Sequence, residues 1–229
     1  MREWNTEIYN VPAYSVSDAA RYLHIPLPTL RSWLQGRTYQ TKTGQRTCEP
    51  IIQRPSADTA QMSFINLIEA HVLRILREIH QIKLDKVRIA LDYMSKAFDS
   101  SHPLAEKRFQ TDGVDLFVDR MDGLVNVSRS GQLAMKEILK HLLTRVEWDE
   151  RDIATRLFPF VRSEGDNTKI LYIDPRISFG KPVIAGTRIP SSSIIDLYDA
   201  GDEIEDIADE FDCTPQQIKA AIQFESSAA

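Results

Sequence analysis

The stretch Tyr14–Arg37, YSVSDAARYLHIPLPTLRSWLQGR, decides how the chain is read. Ser15 offers a hydroxyl to the orphan N–H groups of a helix start, and Asp18 three residues later makes a capping-box-like pattern. Val16, Ala19, Ala20 and Leu23 recur at helical spacing and form its buried stripe. Pro26 then forces Ile25 into extended geometry and stops the helix. Pro28 is tolerated only in a first helical turn, where no N–H is needed, so a second helix starts at about Leu27. It runs to about Leu34, burying Leu30 and either Trp33 or Leu34, and Gly36 closes it. The stretch is therefore two helices around a tight corner.

The next segment reads as a β-hairpin. Tyr39, Thr41, Thr47, Ile51 and Ile52 favour strands, and Lys42-Thr43-Gly44 supplies the turn. Helix–turn–helix modules lay the second helix in the DNA major groove and read base edges with its N-terminal half. Here that half exposes Thr29, Arg31 and Ser32. Arg31 has the two-pronged geometry that recognises guanine, while Arg37, Lys42 and Arg46 on the hairpin suit neighbouring phosphates. Two helices alone are equally a core hairpin; the basic wing beside them favours double-stranded DNA.

Charge is placed unevenly. The whole chain of 229 residues carries a formal net charge of −5. Yet residues 14–54 hold six bases against two acids, and residues 191–212 hold nine acids and no base. A basic front and an acidic back imply two different partners. The start MREWNTEIYN lacks an apolar signal segment, no run is long enough for a membrane helix, and Cys48 and Cys213 stand far apart. We expect a cytoplasmic protein without membrane contact.

Further along, Ser63 caps a helix with Phe64, Leu67, Ile68, Val72, Ile75, Leu76 and Ile79 on one broad face. After a break at 81–83, Leu84, Val87, Leu91, Met94 and Phe98 mark its successor. Asp112-Gly113 and Asp122-Gly123 read as hairpin turn pairs between short β-type runs. Residues 132–146 read as an amphipathic helix through Leu133, Ile138, Leu142 and Val146. RLFPFVRSEGDNTKILYID reads as two strands, with Pro159 at an edge. The tail ends in three helices, the last started by Thr214-Pro215. The expected fold is mainly α with small β elements. A winged helix–turn–helix occupies 1–100, a central small α+β module with a possible dimerisation role 101–170, and a three-helix, helix–turn–helix-like domain 171–229. A boundary near Ser100–Pro103 is plausible, though Leu104 and Phe109 are equally able to dock on the preceding helices.

The motifs YSVSDAA and PTLRSW, a basic wing and a helix pair broken at HQIKLDKVRIAL resemble the winged helix of MerR-type regulators over about residues 14–98. The long dimerisation helix and effector pocket of that family do not come next, so small-molecule sensing is not implied. The tail IDPRISFGKPVIAGTRIP, its acidic helices and TPQQIKAAI closely resemble the bacterial domain of unknown function 433 over about 172–225. Together the two resemble a subgroup of VapB-type antitoxins of type II toxin–antitoxin systems. That resemblance implies a PIN-like ribonuclease toxin as partner and makes 171–229 the antitoxin domain. PIN-like nucleases hold metal with clustered carboxylates, which the cations Arg176, Lys181 and Arg188 suit as toxin-binding residues; an internal ion pair of Arg188, with Asp196 for example, is the competing reading. Gln216, Gln217 and Lys219 have DNA-reading chemistry, but the acidic run before them repels phosphate.

No phosphate loop, nucleophile motif or zinc motif occurs, and His24, His71, His80, His102 and His141 are scattered, so no catalytic residue, metal or cofactor is expected. Asp112, Asp115, Asp119 and Asp122 fail the calcium-loop pattern and read as turn acids. The expected function is an antitoxin that binds its ribonuclease toxin and, as a homodimer, represses its own operon. The alternatives are a DNA-independent protein scaffold or a regulator without a toxin.

Overall fold

The computed structural model describes residues 7–41, 44–78, 83–125, 129–159 and 169–226. A one-turn helix α1 (Glu7–Asn10) precedes α2 (Val16–Tyr22) and α3 (Leu27–Gln35). Ser15 caps α2: its Oγ accepts from Asp18 N at 3.0 Å and donates to the Asp18 carboxylate at 2.6 Å. Leu30, Trp33 and Leu34 are all buried. Gly36 ends α3 at φ +71°, and a Cβ there would strike the Cys48 carbonyl, so only glycine lets the wing fold back this tightly.

Strands β1 (Arg37–Thr41) and β2 (Gly44–Cys48) pair antiparallel, Tyr39 opposite Arg46. The returning chain is fastened to α3, because Ile51 and Ile52 both donate N–H to the Trp33 carbonyl at 2.8 and 3.0 Å. The expected winged helix–turn–helix is therefore present, and the fold is mainly helical with, among the described residues, three small two-stranded sheets.

Helix α4 (Phe64–Glu78) is the central post. Its start is a reciprocal cap in which Asn66 N donates to Ser63 Oγ and Ser63 N to Asn66 Oδ1, both at 3.2 Å. Nearly every side chain from Phe64 to Leu76 is buried, polar ones included. Glu69 accepts from Asn66 Nδ2 at 2.9 Å and faces His102 Nδ1 at 3.2 Å. Helix α5 (Leu84–Phe98) buries Val87, Leu91, Met94 and Phe98, as the periodicity predicts. Leu104 and Phe109 dock into the common core, the second of the two readings for Ser100–Pro103.

Among the described residues 109–125 the expected hairpins are replaced by helix. One π-type turn (Phe109–Gly113) leads directly into α6 (Val114–Val125). Val114, Phe117, Val118 and Met121 are buried at helical spacing, and this stripe overrides the turn-like Asp-Gly pairs. Gly113 serves packing instead of a turn: an added Cβ would lie 2.9 Å from both Phe109 Cδ2 and Phe98 Cζ. Asp115 and Asp119 are thus helical acids; Lys136 reaches them at 3.3 and 3.1 Å, and Lys140 reaches Asp115 at 3.3 Å.

Those lysines lie on α7 (Arg129–Leu143). Among its described side chains Met135, Leu139 and Leu143 are buried, while Leu133 points outward at 57% exposure, so the expected phase is wrong at that residue; the side chains of Ile138 and Leu142 lie outside the described set. Val146 belongs to β3 (Val146–Trp148), which pairs with β4 (Ala154–Leu157). Leu157 bridges to Ile173 beside β5 (Leu171–Tyr172), and β5 pairs with β6 (Val183–Ile184).

Helices α8 (Ser191–Ala200), α9 (Ile204–Glu210) and α10 (Pro215–Ser226) complete the tail. Thr214 and Gln217 form the cap of α10. The tail does not stand apart from the front. Phe224 stacks on Tyr22 at 6.4 Å between ring centroids and meets His24 edge-on at 5.4 Å. Glu225, buried, accepts from Arg21 on α2 and Ser191 on α8. One hydrophobic core runs from Tyr9 to Phe224.

Candidate functional site

Helix α3 presents its N-terminal half to solvent because Pro26 and Pro28 fix its start at the corner and Leu30, Trp33 and Leu34 hold the opposite face down. Arg31 is exposed and has no ion-pair partner among the described residues. Ser32 Oγ donates to the Thr29 carbonyl at 2.7 Å, which leaves the hydroxyl oxygen free to accept. A shallow groove of about 480 Å³ joins Thr29, Arg31, Ser32, Gln35 and Arg37. Four of the six expected DNA-binding residues are thus brought together. Arg37 lies over the Tyr39 ring at 5.3 Å, a contact that stiffens it against the wing. Arg46 occupies the strand position opposite Tyr39, and Lys42 lies outside the described residues.

A second, larger groove of about 810 Å³ shares Thr29, Ser32 and Arg37 with the first. Arg77 at the end of α4 and Lys83 and Arg88 at the start of α5 line it with Arg37. Glu49, Asp85 and Asp92 share the wall, so the groove is mixed in charge with a slight basic excess. Arg88 is positioned by a 3.0 Å bond from Nη1 to the Pro50 carbonyl. Sequence reasoning misses these three cations because they belong to core helices by pattern. Only the folded chain, with Arg88 bonded to the Pro50 carbonyl just past the wing, brings them into one groove with Thr29 and Ser32.

In the tail, the irregular segment between β5 and β6 holds Arg176 and Lys181, and Arg188 follows β6. Arg176 is engaged: Nε and Nη2 bond both oxygens of Asp174 at 2.9 and 2.8 Å. Burial alone pushes the Asp174 carboxyl upward, but the bonds from Arg176, with Arg156 at 3.4 Å, outweigh it and hold the carboxyl below its ordinary range. Lys181 and Arg188 are exposed and without ion-pair partners among the described residues, so the expected alternative of an Arg188–Asp196 pair is not realised. Gln217, a candidate DNA reader, is committed to Thr214 and to the Ala185 carbonyl at 3.1 Å. All nine acids between 196 and 212 are exposed.

Among the described residues no three His, Cys, Asp or Glu converge as a metal site, and no helix is long and apolar enough to cross a membrane. A solvent-facing second helix, a wing fastened to it and cations lining the two grooves beside it are the parts of a winged helix–turn–helix, a module type that lays its second helix in the DNA major groove. Residues 12–91 match a family described as "Putative DNA-binding HTH domain", and residues 172–224 match "Protein of unknown function (DUF433)".

The similarity extends to whole chains. "Putative antitoxin VapB45" of Mycobacterium tuberculosis (strain ATCC 25618 / H37Rv) is 29% identical over 233 residues, covering 93% of this chain and 94% of that protein. "Uncharacterized protein Rv2308" of the same organism is 21% identical over 225 residues, covering 96% and 92%. The crystal structure of Rv2018 from Mycobacterium tuberculosis superposes with a TM-score of 0.68 at 26% identity, covering 93% of this chain and 99% of that one. An antitoxin relative and a helix–turn–helix module place this chain among regulatory rather than catalytic proteins.

Proposed function

We propose that this protein is an antitoxin that binds a PIN-like ribonuclease through its tail and represses its own operon through its front. In this reading residues 1–100 bind DNA, 101–170 support dimerisation and 171–229 bind the toxin. The observation that carries the DNA reading is the solvent-facing N-terminal half of α3, with Arg31 unpaired and cations lining the two grooves beside it. Arg31 reads base edges with Thr29 and Ser32. Arg37, Lys42 and Arg46 on the wing side, and Lys83 and Arg88 on the α5 side, contact phosphates. A homodimer doubles the contact by placing two α3 helices one DNA turn apart, about 34 Å. Lys181 and Arg188, whose charges are unspent, are the leading toxin contacts; Arg176, tied to Asp174, shapes the loop.

The test is a titration of the full chain against its own upstream DNA at several salt concentrations. Each phosphate contact steepens the fall of affinity with salt. Arg31→Ala is expected to lose about 1–3 kcal/mol of preference for the operator over mismatched sites. Lys83→Ala is expected to weaken all sequences alike and to flatten the salt slope. If Arg31→Ala lowers affinity equally on every sequence, the base-reading role is wrong. The toxin half is tested by co-expression with the protein encoded in the neighbouring reading frame, measuring recovery of the complex and suppression of its ribonuclease activity.

A further inference from the structure

Phe179 is 99% exposed, the most exposed large apolar side chain in the described structure. Its backbone stands at φ +57°, ψ +30°, and its neighbours Ser178 and Gly180 also have positive φ, +46° and +75°. A bulky residue in the left-handed region is rare and strained. A loop that settled by relaxation alone would place glycine there, or fold the ring onto the surface. Here neither has happened: the ring stands in solvent on left-handed backbone.

The loop is also stiff. Gly180 is seated on the buried Tyr14 ring so closely that a Cβ would collide with it. Ser178 Oγ donates to the Arg188 carbonyl at 2.8 Å, and Gly180 N and Lys181 N close turns onto Ile177 and Ser178 at 2.9 and 3.1 Å. The Arg176–Asp174 pair fixes the loop's entry. Over-determined strain of this kind is stored where a surface must be presented ready-made.

We propose that Phe179 is the anchor of the toxin interface, inserting into an apolar pocket rimmed by carboxylates on the partner. Lys181 is two residues away, and the Ser178–Arg188 bond brings the Arg188 segment alongside. These two unpaired cations sit in a tail whose residues 191–212 are otherwise solely acidic in charge. An acidic rim is therefore accepted at this spot and repelled by α8 and α9, which fixes how the partner docks. A hot spot centres on an anchor that fills a desolvated pocket, while charges at its rim steer and orient the partner. The assignment rests on the proposed toxin binding and gives it a contact that its cations alone do not supply.

The test uses the full chain co-expressed with the protein encoded beside it, comparing the native protein with Phe179→Gly, Phe179→Ala and Phe179→Trp. Glycine relieves the backbone strain, so the thermal midpoint of the free protein should stay level or rise while partner affinity falls. A fall of about thirty-fold or more is expected for Gly and Ala, with most affinity kept by Trp. Equal binding by the native protein and Phe179→Gly removes the anchor and leaves the toxin reading standing. Failure of the native protein to bind overturns the toxin reading, and the anchor with it. If Phe179→Gly instead turns a dimer into a monomer with partner affinity unchanged, the ring packs against a second copy and the assignment is wrong.

Discussion

Removing the Glu225 carboxylate tests whether the tail is truly locked onto the DNA-binding front. The Glu225 side chain is 5% exposed, and its partner Arg21 on α2 is 31% exposed. Glu225→Ala deletes a charge-assisted hydrogen bond, worth about 1.5–3 kcal/mol, and takes an acceptor from the buried Ser191 hydroxyl. Arg21 reaches water and keeps Asp18 at 3.8 Å, so the lower half of that range applies. A loss of about 2 kcal/mol lowers the urea midpoint by about 1 M if unfolding exposes surface at about 2 kcal/mol per molar. The decisive assay is a double-mutant cycle with Arg21→Ala. Coupling of about 1–2 kcal/mol is expected if the two side chains bind each other. Additivity within about 0.5 kcal/mol would refute the lock and reduce the contact to a surface pairing.

Two other perturbations are set by the packing. Gly113→Ala gains about 1 kcal/mol of helix propensity but forces a methyl between Phe98 and Phe109, so a net loss of about 1–2 kcal/mol is expected; a stabilised variant in thermal unfolding would contradict the close α5–α6 contact. Burial of His102 disfavours its charge, yet Glu69 at 3.2 Å, aided by Glu106, outweighs that and raises its pKa above the ordinary value. The contribution of this pair is therefore complete below about pH 6.5 and fades as pH climbs through the raised value. His102→Asn should flatten that decline in urea midpoints measured from pH 5 to 9, and an unchanged slope would exclude His102 as its source.

The opening helices are legible because their ends are written in residues with a single local use: Ser15 with Asp18, Pro26, Pro28 and Gly36. Helix α6 misleads because Asp112-Gly113 and Asp122-Gly123 are turn-like pairs, while the deciding signal, Val114, Phe117, Val118 and Met121, is spread over two turns. Leu133 reads as inward because its spacing from Ile138 and Leu142 suits a helical stripe, whereas Met135, Leu139 and Leu143 are the positions that reach the core. At the front, Arg31 and Arg37 are visible from their place in the motif, whereas Arg77, Lys83 and Arg88 become neighbours of α3 only through tertiary packing. Phe179 is unreadable for another reason: nothing in ISFGK announces that Ser178 and Phe179 adopt left-handed backbone. The bond between Arg21 and Glu225, from opposite ends of the chain, is likewise a product of the folded molecule.

Phe224 resting against Tyr22 and His24 has a consequence for how long the protein acts. The final helix is part of the floor under the first two, so a protease that trims the carboxyl end strips aromatic cover from the amino end as well. Clipping there is expected to loosen the first helices along with the tail, so that the two ends of the chain lose their order together.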